Sequence, residues 1–111
     1  VKAEKATIYS AKQLKYLRQK AVRDAWKQER ELVIKTGEGT RNWSIKEMDE
    51  LIKNGKVKGY QGHHINNVKD HPDLAGNANN IEFLNSSEHL QRHGGNFRNE
   101  THGELLNRQI K

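Results

Sequence analysis

Apolar residues recur every three or four positions over the first third of the chain, which is the spacing of one face of an α-helix. They are Leu14, Leu17, Ala21, Val22, Ala25, Trp26, Leu32 and Val33. Ser10 and Gln13 form a capping-box sequence immediately before this pattern. Gly37 follows it, and glycine favours the left-handed backbone that ends helices. We therefore predict a long helix from about Ala11 to Lys35.

A second capping box, Ser44 with Glu47, predicts another helix that ends at Asn54-Gly55. Trp43 precedes this cap, and Met48 is spaced to pack against it as a hydrophobic staple. Because a staple residue packs against the body of the protein, we expect Trp43 to lie in the core rather than to stack on a base.

Two short strands are predicted near the middle of the chain. Lys56–Tyr60 predicts a strand that leads into the adjacent residues His63 and His64, and Ile81–Leu84 predicts a second strand. The polar segment between them contains Pro72 and predicts a long loop. Loops of this length tend to be functional, so we expect this loop to lie beside a site.

A third predicted helix carries His89 and His93. Asn85 with Glu88, or one of the two serines between them, caps its start, and Gly94-Gly95 ends it. Residues four apart lie on one face of a helix, so the two imidazoles point the same way. They are a candidate pair of metal ligands.

The adjacent residues His63 and His64 offer a third imidazole for the same ion. A three-histidine shell leaves positions for water and a substrate oxygen, and the remaining histidine would be available as a base. Neighbouring side chains on a regular strand point to opposite faces. Both histidines could reach one site only through an irregular backbone, which we expect Gly62 to permit.

The composition predicts one domain, spanning residues 1–111, with a small core. Of the 111 residues, 32% are hydrophobic and 31% are charged. We divide the domain into a helical part at 1–55, a two-strand-and-helix module at 56–95 and a tail at 96–111, which either forms a short helix or extends along DNA. The chain has no cysteine, which excludes disulfides and a cysteine-ligated zinc knuckle. No apolar run approaches the roughly 20 residues of a transmembrane helix.

The charge balance favours a polyanionic partner. The formal net charge is +6 and the pI is about 9.7. Lysines and arginines bind phosphates without regard to sequence, although a basic surface also serves solubility alone. The first helix has a basic face that is either a solvated surface or a path for the DNA backbone. Candidate nucleic-acid contacts elsewhere are Lys58, His71, Arg92, Arg98 and His102.

Three motifs resemble the HNH nucleases, specifically the ββα-metal module of colicin DNases and of bacterial polymorphic toxins with a Gly-His-His signature. The motifs are Gly62-His63-His64, Asn80-Ile81-Glu82-Phe83-Leu84 and His89-Leu90-Gln91-Arg92-His93-Gly94. The resemblance implies an α+β fold, with the ββα-metal module preceded by N-terminal helices. Where the colicin type has an acidic residue two places before the histidine pair, this chain has Gln61.

The resemblance also assigns the site residues. His63, His89 and His93 would hold one divalent metal ion, His64 would be the general base, and Asn80 would support the loop between the strands. The ion would be zinc, nickel, magnesium or manganese, and the product would carry a 5′ phosphate.

The implied function is a sequence-nonspecific DNA endonuclease that forms the C-terminal toxin module of a bacterial competition effector. Such a toxin would be secreted or delivered by its producer, act in the cytoplasm of the target cell and pair with an acidic cognate immunity protein. The alternatives are a phage, restriction or homing nuclease, an RNase toxin, and a non-catalytic nucleic-acid-binding module stabilised by metal.

Overall fold

Three helices and two strands make up the computed structural model, which describes residues 9–96 and 99–108. In chain order they are α1 (Ala11–Thr36), α2 (Ile45–Asn54), β1 (Tyr60–His64), β2 (Ile81–Asn85) and α3 (Ser86–Arg92). The strands pair antiparallel and form a two-stranded sheet. The protein is therefore α+β, with a ββα unit preceded by two helices, as the sequence predicted.

The helix ends follow the predicted capping signals. Ser10 and Ser44 each accept a hydrogen bond from the backbone N–H three residues later, and the side chain at that position bonds back to the cap. Asn85 and Glu88 form the same reciprocal pair at the start of α3. Gly37 caps the end of α1 with a φ of 79°. The last helical residue is Thr36, one residue after the predicted Lys35.

The prediction for the first strand was wrong in position. Lys56–Gly59 is not extended, because Lys58 and Gly59 form a turn in which Gly59 has a φ of 88°. β1 begins at Tyr60, so that His63 and His64 lie inside the strand rather than after it. The loop between the strands contains two short 3-10 turns, at Pro72–Leu74 and Ala78–Asn80.

The sheet packs against α1 on one face and against α3 on the other. The core lies between α1, α2 and the first of these faces, and Trp26 stacks on Phe83 there with 3.7 Å between ring centroids. Trp43 is buried in the same core, as predicted, and meets the edge of Tyr60 at 4.9 Å. The buried members are Ala21, Ala25, Val33, Trp43, Leu51, Val57, Ala78, Ile81 and Phe83.

The part of the tail that is described, residues 99–108, is neither a helix nor a strand. It packs back across the loop between the strands, where Asn67 N–H donates to Thr101 O and Leu106 N–H donates to Asn79 O. Arg108 is buried at the end of this segment and forms an ion pair with the buried Glu29 of α1. The segment is thus a structural part of the fold.

None of the described helices combines the length and the apolar content that a membrane span requires.

Candidate metal and nuclease site

Adjacent histidines of β1 face opposite sides of the sheet. His63 is paired with Glu82 of β2, and His64 with Ile81. Because directly paired residues share a face, His63 lies on the face that packs against α3 and His64 on the face that packs against α1. The strand is regular here, so the expected irregularity is absent from it.

Gly62 has a different role from the one predicted. It is not among the described residues with positive φ. A Cβ at this position would lie 2.9 Å from both methyl groups of Val22 and 3.1 Å from Cγ2 of Ile81. The glycine therefore allows α1 to approach the sheet closely, rather than redirecting the histidines.

Three histidines converge on the α3 side of the sheet. The ring centroids of His63, His89 and His93 are 4.9–5.0 Å apart. Each ring offers one nitrogen, and these three nitrogens all lie within 4.8 Å of one another. His89 lies in α3 and His93 is the residue that ends it, so the four-residue spacing places both on the side that faces β1.

The buried nitrogen of His63 fits a metal ion. His63 is 4% exposed, and its Nε2 has no hydrogen-bond partner among the described residues. The nearest carboxylate oxygen, Oε2 of Glu82, is 3.8 Å away. Burial, followed by repulsion from His89 and His93, lowers the pKa of His63 to about 3. The ring is therefore neutral, with a lone pair to donate, and a bound ion would remove the cost of leaving it unpaired.

The surroundings orient this cluster. Nδ1 of His93 lies 3.0 Å from the carbonyl oxygen of Asn99, which can only accept. Nδ1 must then carry the proton, leaving Nε2 as the ligand atom. Arg92 donates two hydrogen bonds to Glu82, at 2.7 and 2.8 Å, and holds that carboxylate beside His63.

His64 is oriented as a base on the other side of the strand. Its Nε2 lies 3.0 Å from the carbonyl oxygen of Ala75, so Nε2 carries the proton and Nδ1 keeps its lone pair. Burial lowers the pKa of His64 more than the Ala75 hydrogen bond raises it, and Arg18 lowers it further. His64 opens into a surface pocket that is also lined by Arg18, Gln19, Val22, Arg23 and Gly62.

Asn80 links the two ends of the loop. It is completely buried, and its Oδ1 accepts from the backbone N–H of Asn66 at 2.9 Å and from Nδ2 of Asn66 at 3.0 Å. Its Nδ2 donates to the backbone oxygen of Asn66 at 3.0 Å. Asn66 follows His64 by two residues, so this network holds the backbone where β1 ends.

The described members of the predicted nucleic-acid contacts have different surroundings. His71 and His102 contact each other, with 3.0 Å between Nε2 and Nδ1, and together with Asp70 and Glu100 they form a mixed group whose carboxylates disfavour phosphate. Arg92 is bound to Glu82 as described above. Lys58 is exposed in the turn before β1, and Arg98 lies outside the described residues.

Several neighbours of the site were not found from the sequence. Glu82 belongs to a quoted motif, but only the strand register brings it to His63. The contact of Ala75 with His64 spans 11 residues and involves the backbone, which no side-chain pattern reveals. Arg18 belongs to the basic face predicted for the first helix, but no pattern in the sequence singled it out as a neighbour of His64.

Comparisons with known proteins place the chain in a family. A family model described as a GHH-signature-containing HNH/Endo VII superfamily nuclease toxin matches residues 10–85. The match includes His63, His64 and Asn80, and it ends before His89 and His93.

Animal proteins are similar to about three quarters of the chain. Teneurin-3 of Mus musculus is 42% identical over 85 residues, which cover 77% of this chain and 3% of that protein. Teneurin-3 of Danio rerio is 41% identical over 78 residues, covering 70% of this chain and 3% of the relative. Teneurin-m of Drosophila melanogaster is 32% identical over 82 residues, with coverage of 74% and 3%. The chain thus spans about 3% of the length of these relatives.

Proposed function

The chain belongs to the GHH-signature HNH/Endo VII superfamily of nuclease toxins, and from this membership we propose that it is a metal-dependent endonuclease that cuts DNA with little sequence preference. The observation that carries the proposal is the unpartnered, buried Nε2 of His63 beside His89 and His93. A nuclease of this kind needs a place for a divalent ion, and these three imidazole rings provide one.

His63, His89 and His93 would hold the ion. When bound, a divalent cation supplies Lewis-acid activation of a phosphodiester and stabilises negative charge on the departing oxygen. Imidazole ligands favour first-row transition metals such as zinc and nickel, whereas phosphodiester chemistry also runs on magnesium and manganese. All four ions therefore belong in the test.

His64 would act as the general base. Its Nδ1 would take a proton from water, the water oxygen would form a bond to phosphorus, and the bond from phosphorus to the departing oxygen would break. The departing oxygen would then take a proton from solvent. In an in-line displacement the attacking water and the departing oxygen lie on opposite sides of phosphorus. His64 and the three-histidine cluster lie on opposite faces of β1, which suits a base that acts on the water and an ion that stabilises the departing oxygen.

Two contacts support this role of His64. The Ala75 carbonyl keeps the proton on Nε2, so Nδ1 is the basic nitrogen of a residue that lines the pocket with Arg18 and Arg23. The buried network of Asn66 and Asn80 fixes the backbone beyond the histidine. Contacts of this kind set the direction of the His64 ring without touching substrate.

We further propose that the domain acts as a toxin in bacterial competition. In that setting it would be delivered to the cytoplasm of a target cell and neutralised by an acidic immunity protein. Membership of a family of nuclease toxins and the formal charge of +6 support this setting.

Plasmid cleavage tests the enzyme proposal. Purified protein is stripped of metal with a chelator and then supplied with magnesium, manganese, zinc or nickel. We expect at least one ion to restore cutting to a smear of products, and His64→Ala to lower the rate by about 10²–10⁴-fold, the usual contribution of a general base. Discrete fragments would indicate a sequence-selective nuclease instead, and cleavage of RNA alone would indicate an RNase.

Calorimetric metal binding separates the roles of the histidines. His64→Ala should bind the ion as the parent protein does, whereas His89→Ala should bind it at least 10-fold more weakly. Gln91→Ala, which changes an exposed neighbour on α3, is the matched control and should retain binding. Normal cleavage by His89→Ala would contradict the proposed metal site.

Expression in bacteria tests the biological setting. We expect the parent domain to stop growth when it is expressed alone and His64→Ala to be tolerated. Harmless expression of a domain that is active in the plasmid assay would exclude the toxin role and leave the nuclease proposal intact.

A further inference from the structure

A continuous row of positive side chains runs along α1 away from His64. The pocket beside His64 contains Arg18 and Arg23. Arg23 also lines a second surface pocket, between α1 and the end of α2. The remaining residues of this distal pocket are Trp26, Lys27, Arg30, Lys53, Asn54, Gly55 and Lys56. We call the six cations of the two pockets the basic track: Arg18, Arg23, Lys27, Arg30, Lys53 and Lys56.

The basic track contains as many cations as the chain has in excess of its acidic residues. The sequence has 20 lysines and arginines against 14 aspartates and glutamates. Outside the six track residues, the numbers of cationic and acidic residues are therefore equal. Among the described residues that line the two pockets, none is acidic. The lining of the two pockets is therefore positively charged.

The track is built on rigid supports. Trp26 stacks on Phe83 of the core, and Nε of Arg30 donates to the carbonyl oxygen of Ile52 at 2.8 Å.

Lys53 forms an exposed ion pair with Asp49 at 3.1 Å. Exposed pairs of this type are worth less than about 1 kcal/mol, so Lys53 can exchange Asp49 for a phosphate at little cost.

The length of the track suits a nucleic-acid backbone. Arg18 and Arg30 are twelve residues apart on α1, which at 1.5 Å per residue is about 18 Å. Phosphates along one strand of duplex DNA advance by about 3.4 Å each, so the track spans about five of them. An acidic protein partner would instead need apolar anchors at the centre of its interface, and Trp26 is the one large apolar side chain among the described residues of the distal pocket.

We propose that the basic track binds the phosphate backbone of the DNA substrate, and that the distal pocket holds phosphates about five base pairs from the one that His64 reaches. This inference rests on the proposed nuclease function. It adds a binding subsite that is separate from the three-histidine cluster and from His64. The subsite gives affinity without sequence preference, since its contacts are to phosphate.

The test neutralises the distal pocket and compares it with an equal loss of charge elsewhere. The distal variant combines Lys27→Gln, Lys53→Gln and Lys56→Gln. The control variant combines Lys12→Gln, Lys35→Gln and Lys46→Gln. All six lysines are exposed, and the control positions line neither pocket.

Fluorescence anisotropy with a 30-base-pair duplex measures binding by metal-free protein over a range of salt concentrations. The Kd of the distal variant should be about 10- to 100-fold higher than that of the parent near 0.1 M salt. The slope of log K against log salt should be smaller by about 2.7, since each of three lost phosphate contacts contributes about 0.9. The control variant should change Kd by less than about 3-fold. Hydrolysis of bis(p-nitrophenyl) phosphate, which is too small to reach the distal pocket, should be unchanged in both variants.

Three results would overturn the inference. They are equal losses of binding in the two variants, no loss in either, and loss of binding to a polyglutamate peptide by a distal variant that still binds DNA normally. The last result would assign the surface to an acidic polypeptide. Failure of the parent protein to hydrolyse any phosphodiester would count against the proposed function, while the anisotropy comparison would still decide the basic track.

Discussion

Replacing Arg108 with methionine should destabilise the protein by about 4 kcal/mol, because it leaves a buried carboxylate without its cation. Arg108 is 3% exposed and Glu29 is 0% exposed. Nε of Arg108 donates to Oε1 of Glu29 at 2.7 Å, and its two terminal nitrogens donate to the carbonyl oxygens of Ala78 and Ile81 at 2.8 and 2.6 Å. One side chain thus joins the segment 99–108 to α1 and to the start of β2.

The size of the expected destabilisation depends on the hydrogen bonds that Glu29 retains when Arg108 is replaced. Without Arg108 it still accepts hydrogen bonds from Thr40 and from Nε1 of Trp43, so it is not wholly unsatisfied. Removal of one partner from a buried ion pair nevertheless costs about 3–5 kcal/mol. Small domains are stable by about 5–15 kcal/mol, so this loss is a large share of the total.

Urea denaturation followed by far-ultraviolet circular dichroism measures the loss. Arg23→Met, at an exposed position of α1, is the matched control and should shift stability by less than about 0.5 kcal/mol. Arg108→Lys should fall between the parent and Arg108→Met, because an ammonium keeps the charge but cannot reach three acceptors at once. The double variant Glu29→Leu with Arg108→Met should be more stable than Arg108→Met alone. A loss below about 1 kcal/mol for Arg108→Met would refute the reasoning.

Three further predictions concern the loop, the sheet and acid. Gly62→Ala should lower stability by about 1–3 kcal/mol because its Cβ would overlap Val22, and adding Val22→Ala should recover part of the loss; an unchanged urea midpoint would contradict this. Asn80→Ala should cost about 2 kcal/mol in the same assay, since it removes the partners of the backbone N–H and C=O of Asn66, and a fully stable variant would show that water replaces the amide. Burial raises the pKa of Glu29, but hydrogen bonds from Arg108, Trp43 and Thr40 outweigh it and lower the pKa below its ordinary value of 4.5. The resulting stabilisation is present above about pH 4.5 and is lost as the pH falls through the lowered pKa. Glu29→Gln should therefore make the free energy of unfolding depend less on pH in acid. An equal loss of stability in acid for the parent and the variant would exclude Glu29 as a cause of that loss.

The family match and the metal cluster rest on different parts of the chain. The match ends at residue 85, whereas two of the three clustered histidines are at positions 89 and 93. The presence of all three histidines of the candidate metal site is therefore known from the structure of this chain and not from the family match. Asn99, which orients His93, also lies beyond the match.

Local features of the fold could be predicted from the sequence because their hydrogen bonds join residues three or four apart. The capping boxes at Ser10, Ser44 and Asn85 are of this kind, and they located all three helices to within a residue or two. The spacing of His89 and His93 placed both on one side of α3 for the same reason. The first strand was placed too early because the turn at Gly59 depends on how α2 leads into the sheet.

The tertiary structure alone decided which distant groups meet. Strand register set His63 beside Glu82 and turned His64 toward α1, and neither follows from their order in the chain. Glu29 and Arg108 are 79 residues apart, and the basic track draws its cations from two helices and the turn after α2. Such contacts form only when packing closes long loops, so their partners are chosen by the shape of the core and not by any short sequence pattern.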